Sequence, residues 1–187
     1  MCGFVDGEGH FRIRKDSRRE KSPYVFEFMI NLHVDDRHVL DSIKKILNLG
    51  NVTSNDRFSR FSVNSKTEIK EIINIFSKYP LNTSKRLNFE DWKKGFELYH
   101  KDDIINANRE NIIPVVEKLR QGMNTGRSYE TFKPDNINIT KYWLLGFIEG
   151  KGSFSFNKDG SAAYFTLGQV SRDRPLLEKN YGVFKNL

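Results

Sequence analysis

Residues 3–11 read Gly-Phe-Val-Asp-Gly-Glu-Gly-His-Phe, and residues 146–154, offset by 143 positions, read Gly-Phe-Ile-Glu-Gly-Lys-Gly-Ser-Phe. Five of the nine positions are identical, Val5/Ile148 and Asp6/Glu149 are conservative pairs, Glu8 stands against Lys151, and His10 stands against Ser153. A repeat at this separation confines the chain to architectures built from two similar units, and overlooking it would misassign the whole fold.

Upstream of the second copy, Thr140 is a cap candidate, and the bulky residues Tyr142, Trp143, Leu144 and Leu145 suit a helix ending near Gly150 or Gly152. Gly146 and Gly150, like Gly3 and Gly7, are four apart and share one helical face. Their missing side chains let a second helix approach closely. Two such helices packed backbone to backbone bring residues 8 and 151 together at the base of the pair.

Each copy leads into a stretch of period two. His10, Arg12 and Arg14 alternate with Phe11 and Ile13, which predicts a strand with one cationic and one apolar face. A second strand follows at 24–33, with Phe26, Phe28, Ile30 and Leu32 alternating with Glu27, Met29, Asn31 and His33. The loop at 16–23 holds Arg18, Arg19 and Lys21, giving a basic hairpin. Asp35 or Asp36 is placed to cap a helix with Val39, Ile43, Ile46 and Leu47 on one stripe, ended by Gly50. A second hairpin is expected over 52–63, where Arg60 and Ser62 alternate with Phe61 and Val63. Ser65 with Glu68 forms a capping box for a helix carrying Ile69, Ile72, Ile73 and Phe76, stopped by Pro80.

The fold class is therefore α+β: an αββαββα unit whose four-stranded antiparallel sheet buries one face under helices and leaves the other free. Two such units joined at the glycine helices form a pseudo-twofold basic saddle. The expected organisation is a first repeat over 1–85, a helical connector and linker over 86–139, and a second repeat over 140–187. In the connector, Phe89, Trp92, Phe96 and Tyr99 recur at helical spacing, and an apolar block over 112–119 is broken by Pro114. The second repeat has one hairpin with an Asp159-Gly160 turn and no counterpart of the second hairpin, so it is incomplete.

Composition sets outer bounds. The 187 residues carry 31 Lys+Arg against 24 Asp+Glu, a net charge of +7 that suits a polyanionic partner. The 37% hydrophobic content, with fifteen Phe, supports a folded core. No run approaches the roughly 18 apolar residues of a membrane span, and no secretory signal is visible. The single cysteine allows no internal disulfide and fits a reducing compartment. His10, His33, His38 and His100 lack ligand-like spacing and read as structural or surface residues.

These two stretches, with Lys78-Tyr79-Pro80-Leu81, Thr83-Ser84-Lys85-Arg86 and Gly122-Met123-Asn124-Thr125-Gly126-Arg127 between them, resemble the single-chain LAGLIDADG homing endonucleases and maturases of organellar introns. The resemblance covers nearly all of residues 1–175. It implies a monomeric saddle on the major groove of a long double-stranded DNA site, with the acid at the eighth motif position of each copy binding divalent metal, Mg²⁺ or another, at the base of the helix pair. That acid is Glu8 in the first copy, with the backbone of Gly150 beside it as a second metal contact. Lys151 replaces it in the second copy, and Lys85 matches the basic residue that supports the chemistry in relatives. The resemblance further implies a mitochondrial origin.

Charged Lys151 cannot ligate a cation, and its expected behaviour is to pair with Glu8 or to touch the phosphate. Catalysis is then weakened or limited to nicking. The alternatives are an RNA-binding maturase of the host intron without cleavage, or an inactive degenerate fragment. On the sheet face, Arg12 and Arg14 suit guanine and Asn31 suits adenine, Arg60 and Ser62 extend the same surface, and Arg18, Arg19 and Lys21 suit phosphates.

Overall fold

The computed structural model describes residues 1–19, 23–101, 109–129 and 137–178. Helix α1 (Cys2–Glu8), strands β1 (Gly9–Lys15) and β2 (Tyr24–His33), helix α2 (Arg37–Leu47), strands β3 (Asn51–Ser54) and β4 (Phe58–Val63), and helix α3 (Lys66–Lys78) follow in the order expected from the sequence. Helices α4 (Lys85–Tyr99) and α5 (Arg109–Gln121) come next. The opening helix and hairpin then recur as α6 (Lys141–Lys151), β5 (Gly152–Phe156) and β6 (Ala163–Leu167). No described helix is long and apolar enough to cross a membrane.

The first sheet is antiparallel in the order β1-β2-β4-β3, with Phe11 opposite Phe28 and Ile30 opposite Phe61. Because side chains alternate across a strand, this register gathers Phe11, Ile13, Phe26, Phe28, Ile30, Phe61 and Val63 on one buried face. Helix α3 covers it with Ile69, Ile72, Ile73 and Phe76, and α4 with Phe89, Trp92, Phe96 and Tyr99. The ring of Phe11 lies within 5.7 Å of those of Phe28, Phe76, Phe89 and Trp92, in the tilted and edge-on arrangements that aromatic quadrupoles favour.

Three local expectations are corrected. Helix α2 ends at Asn48, left-handed at φ +52°, rather than at Gly50. Asn tolerates that conformation, and Gly50, also left-handed at φ +77°, has in addition no room for a side chain, since a Cβ there would sit 2.6 Å from the Phe61 ring. The buried stripe of α2 centres on Leu40, whereas Ile46 is 81% exposed. At about 100° per residue, six positions from Leu40 carry Ile46 to the back of the helix. Finally, α5 runs through Pro114. The proline removes one hydrogen bond near the helix start, while Ile112, Ile113 and Val116 hold the segment on the core.

At α3, Glu68 N–H donates to Ser65 Oγ as the capping box requires, and the Glu68 carboxylate also accepts from Gly50 N–H at 2.8 Å. Strands β5 and β6 pair alone, around a turn with Gly160 at φ +71°. Phe154, Phe156 and Phe165 share one face of this ribbon and remain 77%, 74% and 41% exposed. The matching face of the first sheet lies under α3 and α4. No second hairpin follows β6 among the described residues.

Candidate functional site

Helices α1 and α6 pack along their glycine faces, and the contact is graded along its length. A Cβ on Gly3 would lie 1.8 Å from the Trp143 carbonyl oxygen, and one on Gly146 would lie 3.0 Å from Phe4 N. Towards the base the helices part. A Cβ on Gly7 would meet Lys151 Cγ at 3.3 Å, and one on Gly150 would meet Glu8 Cγ at an ordinary 3.5 Å. The widening makes room for side chains, and there Lys151 Nζ meets Glu8 Oε1 at 2.9 Å. The pairing expected for the lysine at the acid's position is present.

Lys85, in the first turn of α4, reaches the same place from the other side. Its ammonium donates to the carbonyls of Val5 (2.8 Å) and Gly7 (3.1 Å) at the C-terminal end of α1, where a helix attracts cations. Burial nevertheless pulls its pKa down to about 8. Asp6 and Glu8 act upward, and Lys151 adds to the depression.

Two buried acids fix this arrangement, and neither stood out in the sequence. Asp6 accepts from the backbone N–H groups of Asn82 and Thr83, the Thr83 hydroxyl and the Trp143 indole N–H at 2.7 Å. Burial raises its pKa against the pull of those donors. Asp173 accepts from Ser84 N–H (2.7 Å) and Ser84 Oγ (3.1 Å), and burial raises its pKa as well. Arg172 donates to the same hydroxyl and stacks 3.8 Å above the Tyr129 ring. The acids thus cap the turn that starts α4, one from each repeat, and set the root of Lys85. An acid within an apolar glycine helix is itself a signal for a buried carboxylate, and the second acid matches Asp36 at the end of the first hairpin.

A cavity of about 610 Å³ opens here, lined among others by Glu8, His10, Ser84, Lys85, Asn124 and Arg172. His10, expected to be a structural or surface residue, lies on its wall. Burial, with Lys85 and Arg12 nearby, holds the imidazole pKa below its usual value.

The exposed face of the first sheet carries the expected polar residues, but its cations are tied. Arg12 Nη2 lies 2.6 Å from Glu27 Oε2, and Arg14 lies between Glu27 and Asp16 at 3.5 and 3.4 Å. Arg18 and Arg19 also turn to Asp16, at 3.0 and 3.8 Å. Arg60 donates to Asn31 Oδ1 at 2.8 Å, and Ser62 stands opposite Met29 and Asn51. Lys21 lies outside the described residues.

Glu8 is the acid at the eighth motif position, Glu149 lines a neighbouring cavity with it, and no group of three or more His, Cys, Asp or Glu side chains converges among the described residues. The Glu8 carboxylate and nearby backbone carbonyls are hard oxygen donors that suit one divalent cation when water or phosphate completes its shell. They do not suit a second, because Lys151 holds the other acid position.

A family model described as LAGLIDADG endonuclease matches residues 1–96. The chain is 30% identical over 159 residues to the probable intron-encoded endonuclease Cox1-I1b of Schizosaccharomyces pombe, covering 82% of this chain and 40% of that protein. It is 28% identical over 183 residues to the uncharacterized mitochondrial protein RF1 of Saccharomyces cerevisiae, covering 92% and 35%. The chain thus spans well under half the length of either relative. Among solved structures, it superposes on the LAGLIDADG homing endonuclease I-GzeII in complex with its DNA target with a TM-score of 0.87 and 27% identity, over 98% of this chain and 70% of that one. It superposes on I-SmaMI bound to uncleaved DNA in the presence of calcium ions with a TM-score of 0.80 and 25% identity, over 97% and 70%. The paired glycine helices, the acid at their base and the antiparallel sheet beside them are those of the LAGLIDADG endonuclease family, to which this chain belongs.

Proposed function

We propose that the chain acts as a site-specific DNA endonuclease of the homing type, encoded in a mitochondrial intron and limited to nicking one strand. The observation that carries this reading is the Glu8–Lys151 ion pair at the base of the helix pair, beside Lys85 and an arginine-bearing sheet. Relatives solved with DNA support duplex DNA as the partner, and the mitochondrial relative supports the origin.

Glu8 and the Gly150 carbonyl would hold Mg²⁺ or a similar cation. Such an ion supplies an activated water and shields the phosphate charge. Lys151 leaves Glu8 for the phosphate when DNA enters, and Lys85 presents its third N–H to the cavity. Arg12, Arg14, Asn31, Arg60 and Ser62 read base edges, while Arg18, Arg19 and Lys21 hold phosphates. With one acid instead of two, one strand is cut.

The test is incubation of the purified protein with supercoiled DNA carrying the uninterrupted host exon junction and Mg²⁺. Nicked circles without linear product, lost in Glu8→Gln, are expected. Efficient double-strand cleavage that survives Glu8→Gln would refute the role of Glu8. Neutralisation of that same acid by Lys151 favours a second reading, a maturase that binds its intron RNA without cleavage. Tighter binding to intron RNA than to junction DNA, with no nicking, would establish it.

A further inference from the structure

We propose that the groove between the outer edge of β1 and the connector is a second phosphate-binding track, gripping duplex backbone beside the sheet. The proposal rests on the DNA-binding reading above and adds Lys15, Arg120 and Thr125 to the interface. Strand β1 is an edge strand, and two of its carbonyls accept hydrogen bonds from the connector. Asn124 Nδ2 donates to the Phe11 carbonyl at 3.1 Å, and Trp92 Nε1 to the Arg12 carbonyl at 3.2 Å. The 3₁₀ turn Asn124–Gly126 and the end of α5 are thereby fixed alongside the strand.

Between them lies a groove of about 500 Å³, lined by Arg12, Arg14, Lys15, Arg120, Asn124 and Thr125 among others, and none of the described residues lining it is acidic. The compensating acids lie behind the cations. Side-chain exposure is 40%, 37% and 35% for Arg12, Arg14 and Arg120, against 12%, 7% and 24% for Glu27, Asp16 and Glu117. Glu117 is itself anchored by Tyr24 Oη at 2.8 Å and holds Arg120 through Nε and Nη2. A guanidinium has five N–H donors, so these ion pairs orient each arginine and leave donors for an incoming anion. Lys15 and three arginines oriented by carboxylates, with no acid among the described residues lining the groove, favour a polyanion, and a phosphate backbone is such a ligand.

The experiment measures the salt dependence of binding to a fluorescent duplex of unrelated sequence. Lys15→Gln and Arg120→Gln should each lower the slope of log affinity against log salt by about one. Lys70→Gln, on the opposite side of the sheet, should leave it unchanged, and Arg120→Lys should restore it. The groove assignment is overturned if Lys15→Gln and Arg120→Gln leave the slope intact. It is also overturned if Arg120→Lys fails to rescue, since the residue then acts only through its fork with Glu117. A wild-type protein that shows no salt-dependent binding to any duplex overturns the DNA-binding reading itself.

Discussion

Lys151 Nζ lies 2.9 Å from Glu8 Oε1, so the two positions that the repeat sets against each other meet as an ion pair. The lysine therefore competes for the carboxylate that a divalent cation would use. A unit charge about 4 Å from a dication repels it by about 2 kcal/mol even with water-like screening. Lys151→Met should thus tighten Mn²⁺ binding by the free protein about thirty-fold, measured by electron paramagnetic resonance titration. Adding Glu8→Gln should abolish the gain, and unchanged binding in Lys151→Met would exclude the competition.

The helix contact should tolerate substitution unequally. Gly3→Ala forces a methyl onto the Trp143 carbonyl and should cost about 3 kcal/mol in urea unfolding. Gly150→Ala finds ordinary contacts at 3.5 Å, and helix propensity favours alanine by about 1 kcal/mol. Stability should hold or rise slightly there. Equal losses at both sites would contradict the graded packing.

Asp6→Asn should destabilise by about 3 kcal/mol, because either amide orientation sets an NH₂ group against N–H or O–H donors. Glu149, its partner in the repeat, is exposed, so Glu149→Gln should change stability by less than about 0.5 kcal/mol. Thermal unfolding of the two variants side by side makes the comparison.

Lys85 should leave a signature in alkaline stability. With a folded pKa of about 8 and an ordinary value of 10.5 in the unfolded chain, the unfolded state holds the extra proton between those limits. Raising the pH through that window therefore favours the folded state, by about 2 kcal/mol from pH 7 to 9.5. Cys2, whose pKa burial raises, acts in the opposite sense near its ordinary value of 9. Urea unfolding at both pH values should show the gain in the wild-type protein and not in Lys85→Met, where Cys2 contributes equally.

The readable part of the molecule was that encoded in local pattern. Two glycine motifs foretold a helix pair, and the charges at residues 8 and 151 foretold what would meet at its base. The alternation of Phe11, Phe26 and Phe28 foretold the buried face of the sheet. Contacts between side chains and distant backbone were not readable, because an N–H is chemically alike at every residue. Nothing in Asp6 names Asn82 and Thr83 as its donors, and nothing in Asp173 names Ser84. The arginines were legible as a cationic face but not as paired groups. Arg12 faces Glu27 only in one hairpin register, and the loop at 16–23 does not set that register by itself. Asn48 replaced Gly50 as the helix terminator because Asn also accepts left-handed backbone, so the usual preference for glycine pointed two residues too far.

The lone ribbon of β5 and β6 has a consequence for handling the protein. Its aromatic face and its two edges, unpaired among the described residues, are suited to meeting the same surface on another molecule. At low ionic strength the net charge of +7 keeps molecules apart. Added salt shortens the reach of that repulsion, so colloidal self-association should grow under the same conditions that release nucleic acid. Storage buffers and assay buffers for this protein therefore pull in opposite directions, and light scattering across a salt series would locate the usable interval.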